Sequence, residues 1–346
     1  MIGVMPMPPP TFARTLSLAL VVSVAPLVAS ACSGTDGAVV TRDAGIASGD
    51  DSGGGGDDGS VSSGDASAAT DGGATTRDSA TPPPPPPQDG GGRLPQPTGA
   101  CPDFKAGTIT VNPAGIAPRT ARVWMTDAAK TMHGPLVFYW YATGSSSNEV
   151  PYALGSTLTA IQAAGGIVIA PTSDPATGQF PWYLVSTNKD DDLRVADELV
   201  ACAEQKVGID ARHIHAMGMS AGGLQTTQMS FFRSSYLASV VTFSGGLGQA
   251  APAYRDPSNL FAAMIFHGGT ADNVYNFDFQ AASDRYKTKL VGDGHFAFIC
   301  NHGMGHAIPT DAAASVWKFF QAHAFGTQPS PYAGGLPAGF PTYCAL

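Results

Sequence analysis

The sequence predicts an α/β fold: a mostly parallel eight-stranded sheet flanked by helices. Three observations predict it. Short apolar runs alternate with longer amphipathic stretches across residues 101–346. Several of these runs are apolar without interruption, as strands covered on both faces are. Glycines, prolines and acidic clusters fall where one element gives way to the next.

Ile109-Thr110-Val111 and Arg122–Met125 read as two early strands, antiparallel neighbours at a sheet edge. Leu136–Tyr141 is a buried strand. Ala153–Ala164 follows as a helix closed at Gly165-Gly166, where a glycine cap is favourable. Ile167–Ala170 is another buried strand, stopped by Pro171. An irregular stretch holds Phe180-Pro181-Trp182-Tyr183. Asp190-Asp191-Asp192 then opens a helix to about Lys206, placing negative charge at the positive end of its dipole. These aspartates read as a solvated helix start, with calcium binding as the alternative. Ile214–Met217, Val240–Phe243, Met264–His267 and Phe296–Ile299 complete the eight strands, with helices at Ala221–Phe232, Phe277–Leu290 and Ala312–His323.

The 346 residues do not form one uniform chain. Residues 1–31 read as an export signal: Arg14, then the apolar run Leu16–Val28, then the small residues Ala29-Ser30-Ala31. The run is too short for a permanent membrane span. Followed by Cys32, it resembles a bacterial lipoprotein signal in which Cys32 is lipidated; Ala29 stands where that pattern prefers Leu, and ordinary secretion is the alternative. Residues 32–100 carry the Gly53–Gly56 run, Pro82–Pro87 and ten Asp against three Arg, with no aromatic residue. Such a segment cannot bury enough apolar surface to fold and reads as a disordered tether. It holds most of the net charge of −9, so the domain at 101–346 is near neutral. A basic nucleic-acid face has no support. The expected location is the cell surface or the medium, with membrane contact only through a lipid on Cys32, and the expected state is monomeric.

Four cysteines remain in the domain: Cys101, Cys202, Cys300 and Cys344. In an exported protein they imply two disulfides among three connectivities. Cys101–Cys344 would tie the ends of the domain together. Cys300–Cys344, which we favour, would pin the C-terminal segment beside the last strand. Their spacing matches no zinc site.

The chemistry is concentrated in Gly218-Met219-Ser220-Ala221-Gly222-Gly223, a G-x-S-x-G motif between a strand and a helix. In that setting the motif makes a sharp turn that exposes the serine hydroxyl, and the glycines avoid collisions inside it. Ser220 is the candidate nucleophile. A serine hydroxyl needs a base to remove its proton, and in this arrangement acid and histidine follow at the ends of later strands. Asp272, in His267-Gly268-Gly269-Thr270-Ala271-Asp272, is the candidate acid. His306, in Cys300-Asn301-His302-Gly303-Met304-Gly305-His306, is the candidate base. His302 is the competing base. The His302-x3-His306 spacing would suit a metal on a helix, but Gly303 and Gly305 oppose a helix there and no third ligand is evident, so no metal is assigned. His213, His215 and His267 read as structural.

Together the serine turn, the His267-Gly268…Asp272 loop and the Gly305-His306 loop resemble the polyhydroxybutyrate depolymerase and feruloyl esterase group of secreted α/β-hydrolases, over roughly residues 135–320. The resemblance implies carboxylic ester hydrolysis through an acyl-enzyme, without a cofactor, on polyester or phenolic esters. It also marks a departure. Such enzymes carry His-Gly after the third strand, where this chain has Tyr141-Ala142. Thr143 and Ala221 are then the oxyanion N–H donors to name. Tyr141 becomes a candidate aromatic platform for the acyl group. Trp182 and Tyr183, after the fourth strand, either contact substrate or anchor their loop. No insertion is long enough for a large lid. A serine peptidase of the same fold and a non-catalytic surface binding protein are the alternatives, the second motivated by Tyr141-Ala142.

Overall fold

The structure is a computed structural model that describes residues 90–183, 189–248 and 250–346. The expected signal, Cys32 and most of the expected tether lie outside the described residues. Each of the eight expected strands is present: β1 (Gly107–Val111), β2 (Arg119–Trp124), β3 (Leu136–Trp140), β4 (Ile167–Pro171), β5 (Ile214–Met219), β6 (Ser239–Phe243), β7 (Ala262–His267) and, after the hairpin β8 (Asn273–Val274) and β9 (Phe277–Asp278), β10 (Ala297–Asn301). A two-residue β11 (Cys344–Ala345) makes the main sheet nine-stranded rather than eight, in the order β1-β2-β4-β3-β5-β6-β7-β10-β11. From β4 to β10 the neighbours are parallel. The outer pairs β1–β2, β2–β4 and β10–β11 are antiparallel.

Burial follows this order. Strands β3 to β7 are buried at every position, as their uninterrupted apolar runs require. Edge strand β1 alternates instead, with Ile109 and Val111 inward and Thr108 and Thr110 outward.

The helices are α1 (Ala129–Met132), α2 (Glu149–Leu154), α3 (Ser156–Ala163), α4 (Asp191–Lys206), α5 (Ala221–Phe232), α6 (Phe279–Gly292) and α7 (Ala313–Ala322). The single helix expected at Ala153–Ala164 is two. Gly155 (φ 50°, ψ −130°) breaks it, and the first piece begins already at Glu149. Helix α6 starts two residues late because the Asp278 side chain caps it by accepting the Ala281 N–H.

Two further expectations need correction. The folded region does not begin at 101. Gly91 and Gly92 are buried, and a Cβ on Gly92 would lie 2.4 Å from Tyr236 Cα. Thr98 donates from N and Oγ to Glu198, at 2.8 and 2.7 Å, and Gly99 N–H donates to the same carboxylate at 2.9 Å. Residues 90–100 therefore pack on the domain, and a buried carboxylate supplies what their own composition lacks. Nor is Asp192 solvated. It is 1% exposed and accepts from Arg119 Nη1 at 2.9 Å and Tyr183 N–H at 2.6 Å, a buried ion pair rather than a calcium ligand.

The disulfides are Cys300–Cys344 and Cys101–Cys202. The first joins β10 to β11 where the two residues face each other in register. The second ties the N-terminal segment to α4.

Candidate active site

Ser220 sits between β5 and α5 at φ 56° and ψ −119°, a conformation that non-glycine residues avoid and that costs about 1–3 kcal/mol. Its glycine neighbours are what make it possible. A Cβ on Gly222 would lie 1.8 Å from the Trp140 carbonyl oxygen, and one on Gly218 2.5 Å from the same atom. On the other side, Ser220 N–H donates to Phe243 O at 2.9 Å, and a Cβ on Gly223 would meet that oxygen at 2.7 Å. The turn is wedged between the ends of β3 and β6, with the serine 9% exposed.

The candidate acid and base follow β7 and β10, which are parallel neighbours with His267 opposite Asn301. Their loops touch backbone to backbone. Gly305 N–H donates to Gly268 O at 3.0 Å, and a Cβ on Gly268 would lie 1.8 Å from Gly305 O. This contact turns His306 inward, where Nδ1–H donates to Asp272 Oδ1 at 2.7 Å and the ring rests 4.7 Å from that of Phe279. His302 is held elsewhere: its N–H donates to His267 O, and its Nδ1 accepts the Met304 N–H. Asp272 thus pairs with His306 and not with the competing histidine.

Asp272 is 1% exposed. Burial pushes its carboxyl up, but hydrogen bonds from His306, Gly268 N–H and Ser244 Oγ outweigh burial and hold it below the ordinary carboxylate range. Ser244 escaped the sequence reading. It follows β6 at φ 47° and donates to Asp272 Oδ2 at 2.8 Å. The signal available for it was the Ser244-Gly245-Gly246 triplet directly after a buried strand.

The second half of the site lies beyond β3. Among the described residues, neither the Thr143 N–H nor the Ala221 N–H has a hydrogen-bond partner, so both remain available as donors. The Ala142 N–H is occupied, pointing to both carboxylate oxygens of Glu149 at 3.3 Å each. Among the described residues no hydrogen bond joins Ser220 Oγ to His306; such contacts tighten when a substrate seats.

The three aromatic residues proposed to hold substrate are buried. Trp182 is fully buried, edge-on to Trp140 at 4.8 Å, and donates from Nε1 to Tyr141 O. Tyr141 is 5% exposed and its hydroxyl accepts the Ser173 N–H. Tyr183 is 4% exposed and lies under the Arg119 guanidinium. They anchor the loop that follows β4. Aromatic rings bury a large apolar area, so packing them inward stabilises an irregular loop.

A cleft of about 500 Å³ borders His306, lined by Ala142, Ser145, Glu149, Met219 and Ile308 among others. Among the described residues, the β6–β7 connection holds no helix that would cap it. A larger cavity of about 740 Å³ lies beside Arg93, Asp197 and Arg233, away from the serine turn; Arg233 is already paired with Asp197 at 2.7 Å. Among the described residues the one grouping of possible metal ligands is Cys101, Glu198 and Cys202, and its two cysteines are spent in a disulfide.

Residues 189–324, about two fifths of the chain, match the phospholipase/carboxylesterase family. The match includes Ser220, Asp272 and His306. No curated protein sequence matches. Among solved structures the chain is similar to native sOPH (TM-score 0.57, 18% identity, covering 73% of this chain and 96% of that one). It is also similar to native pOPH (TM-score 0.56, 18% identity, 71% and 96%) and to a thermostable esterase (TM-score 0.50, 19% identity, 64% and 63%). At these identities the likeness is one of fold, and the fold is that of the α/β-hydrolases.

Proposed function

We propose that this protein is a serine hydrolase of carboxylic esters that works through an acyl-enzyme. The observation that carries the reading is the Asp272–His306 pair at 2.7 Å together with the strained Ser220 turn, all three residues following strands β5, β7 and β10 of one mostly parallel sheet. In this reading His306, oriented by Asp272 through Nδ1, uses Nε2 to take the Ser220 proton as Oγ attacks the ester carbonyl. The negative oxygen of the tetrahedral intermediate is received by Thr143 and Ala221 N–H, the latter at the positive end of α5. His306 returns the proton to the departing alcohol. Water then repeats the sequence to release the acid. The phospholipase/carboxylesterase match supports the ester preference over a peptidase.

Extracellular polyester and phenolic esters are the substrate classes we infer. The uncapped cleft supports them, since a bulky or polymeric ester needs open approach. Export, with a lipid on Cys32 as the anchor, belongs to the same proposal and is supported by the two disulfides. Among the described residues no helix is long and apolar enough to cross a membrane.

The test is hydrolysis of p-nitrophenyl butyrate by the full chain and by Ser220→Ala, with fluorophosphonate labelling of both. A labelled, active parent and an unlabelled variant slower by about 10⁴-fold or more are expected. Equal rates and no labelling would leave a binding protein on a hydrolase scaffold. Comparison of polyhydroxybutyrate, feruloylated sugar and simple acyl esters then ranks the substrate classes.

A further inference from the structure

Among the described residues, Glu149 is the one carboxylate lining the cleft beside His306. It begins α2, and its position follows from three contacts. Tyr139 Oη, on β3, donates to Oε1 at 3.0 Å, while the Ala142 N–H is shared between both oxygens. Strands β3 and β5 are parallel neighbours with Trp140 opposite Gly218. Ala142 and Ser220 each lie two residues beyond that pair, in the turns that leave the two strands at the same end. Glu149 lines the same cleft as His306 and as Met219, the residue before Ser220, so its carboxylate faces the side of the cleft where the proposed reaction occurs.

Among the described residues no Lys or Arg forms an ion pair with Glu149. Burial raises its carboxyl above the ordinary range, while the hydrogen bonds from Ser145, Tyr139 and Ala142, with the charge of His306, act in the other direction. Tyr139 Oη and the Ala142 N–H that hold it are both hydrogen-bond donors, the arrangement that suits a carboxylate.

Resting on the esterase reading above, we propose that Glu149 selects substrate by charge. The cleft accepts neutral and cationic esters and rejects esters with an anion near the scissile carbonyl. A second negative charge a few ångströms from a partly buried carboxylate is opposed both on binding and as the oxyanion develops. A positive charge there is favoured on both counts. The selected class is thus an uncharged internal ester, or one bearing an ammonium group, in preference to an acid-terminated fragment.

The experiment uses the full chain at pH 8 with three p-nitrophenyl esters of matched size. Their acyl chains end in sulfonate, trimethylammonium or tert-butyl, so the charges are permanent. The readout is the ratio of kcat/KM values between esters, in the parent and in Glu149→Gln, which retains an oxygen for Tyr139 and Ala142. In the parent, the sulfonate ester should react about tenfold or more slowly than the neutral one, and the trimethylammonium ester faster. In the variant both ratios should shrink severalfold toward one. A carboxylate that merely braces the loop would change the rates and leave the ratios alone, and that result overturns the proposal while the esterase reading stands. If Glu149→Gln does not fold, the parent decides: equal turnover of sulfonate and neutral esters overturns it. Failure of the parent to hydrolyse any of the three removes both readings.

Discussion

Asp272 needs more than its histidine. A buried carboxylate whose two oxygens accept from His306, Gly268 N–H and Ser244 Oγ is oriented as well as charged. Replacing Asp272 by Asn should leave the fold intact and lower kcat about 10⁴-fold, because the amide favours the wrong imidazole tautomer; steady-state kinetics beside an unchanged circular dichroism spectrum would show this. Ser244→Ala removes one donor and should cost about 1.5–3 kcal/mol of stability. The sign of its pH effect follows from the lowered Asp272 carboxyl. That contribution is present above the ordinary aspartate value, near pH 4, and is lost as pH falls through the lower folded value. Without Ser244 the folded value rises, so less stability is lost on acidification, and the parent and variant melting curves should converge as pH falls below about 4. Residue type and spacing made Ser220, Asp272 and His306 legible in the sequence. Ser244 and Glu149 were not: Ser244 acts through Asp272, 28 residues away, and Glu149 through a turn after β3 whose shape no periodicity records.

At the scale of elements, the serine turn is a fit between three backbones. Gly222→Ala would set a methyl group 1.8 Å from the Trp140 carbonyl and force β3 and α5 apart. A cost of about 3 kcal/mol and loss of activity are expected; a variant as stable as the parent in urea would show that the turn can relax. The Cys300–Cys344 disulfide closes a 44-residue separation and holds a two-residue strand that could not stay paired alone. Its removal as the double Ser variant should lower stability by up to about 4 kcal/mol, read as a reduced urea midpoint. The eight principal strands were readable to within a few residues, the central ones because their apolar runs are unbroken; the two-residue β11 was not. The helix break at Gly155 and the β8–β9 hairpin were not, since each is settled by neighbours rather than by periodicity.

The whole molecule extends further toward the N terminus than composition suggests. Residues 90–100 have little apolar content of their own, yet Glu198 gathers three donors from Thr98 and Gly99. Residues 90–346 should accordingly melt at a higher temperature than residues 101–346, by several degrees; coincident melts would mean that the latch contributes nothing. Acid stability is also a property of the whole. His323 is 1% exposed, bonded to Phe319 O and Ser330 Oγ, and burial depresses it to about 4. The unfolded chain then binds a proton that the folded chain refuses between about pH 6.5 and pH 4. Stability should fall by about 3 kcal/mol across that window, and a His323→Phe variant that still folds should show a flatter profile in the same titration.

The sequence by itself determined the fold class, the eight principal strands and the three residues of the candidate catalytic set. Apolar periodicity and the strand–turn–helix setting of a glycine-flanked serine are local signals, carried by neighbouring residues. Only the tertiary structure decided which histidine faces Asp272, that Trp182 and Tyr183 are anchors, and that a carboxylate occupies the Ala142 N–H. Those outcomes depend on which loops meet at the ends of parallel strands. The Gly268–Gly305 backbone contact, between residues 37 apart in the chain, is one that no periodicity records.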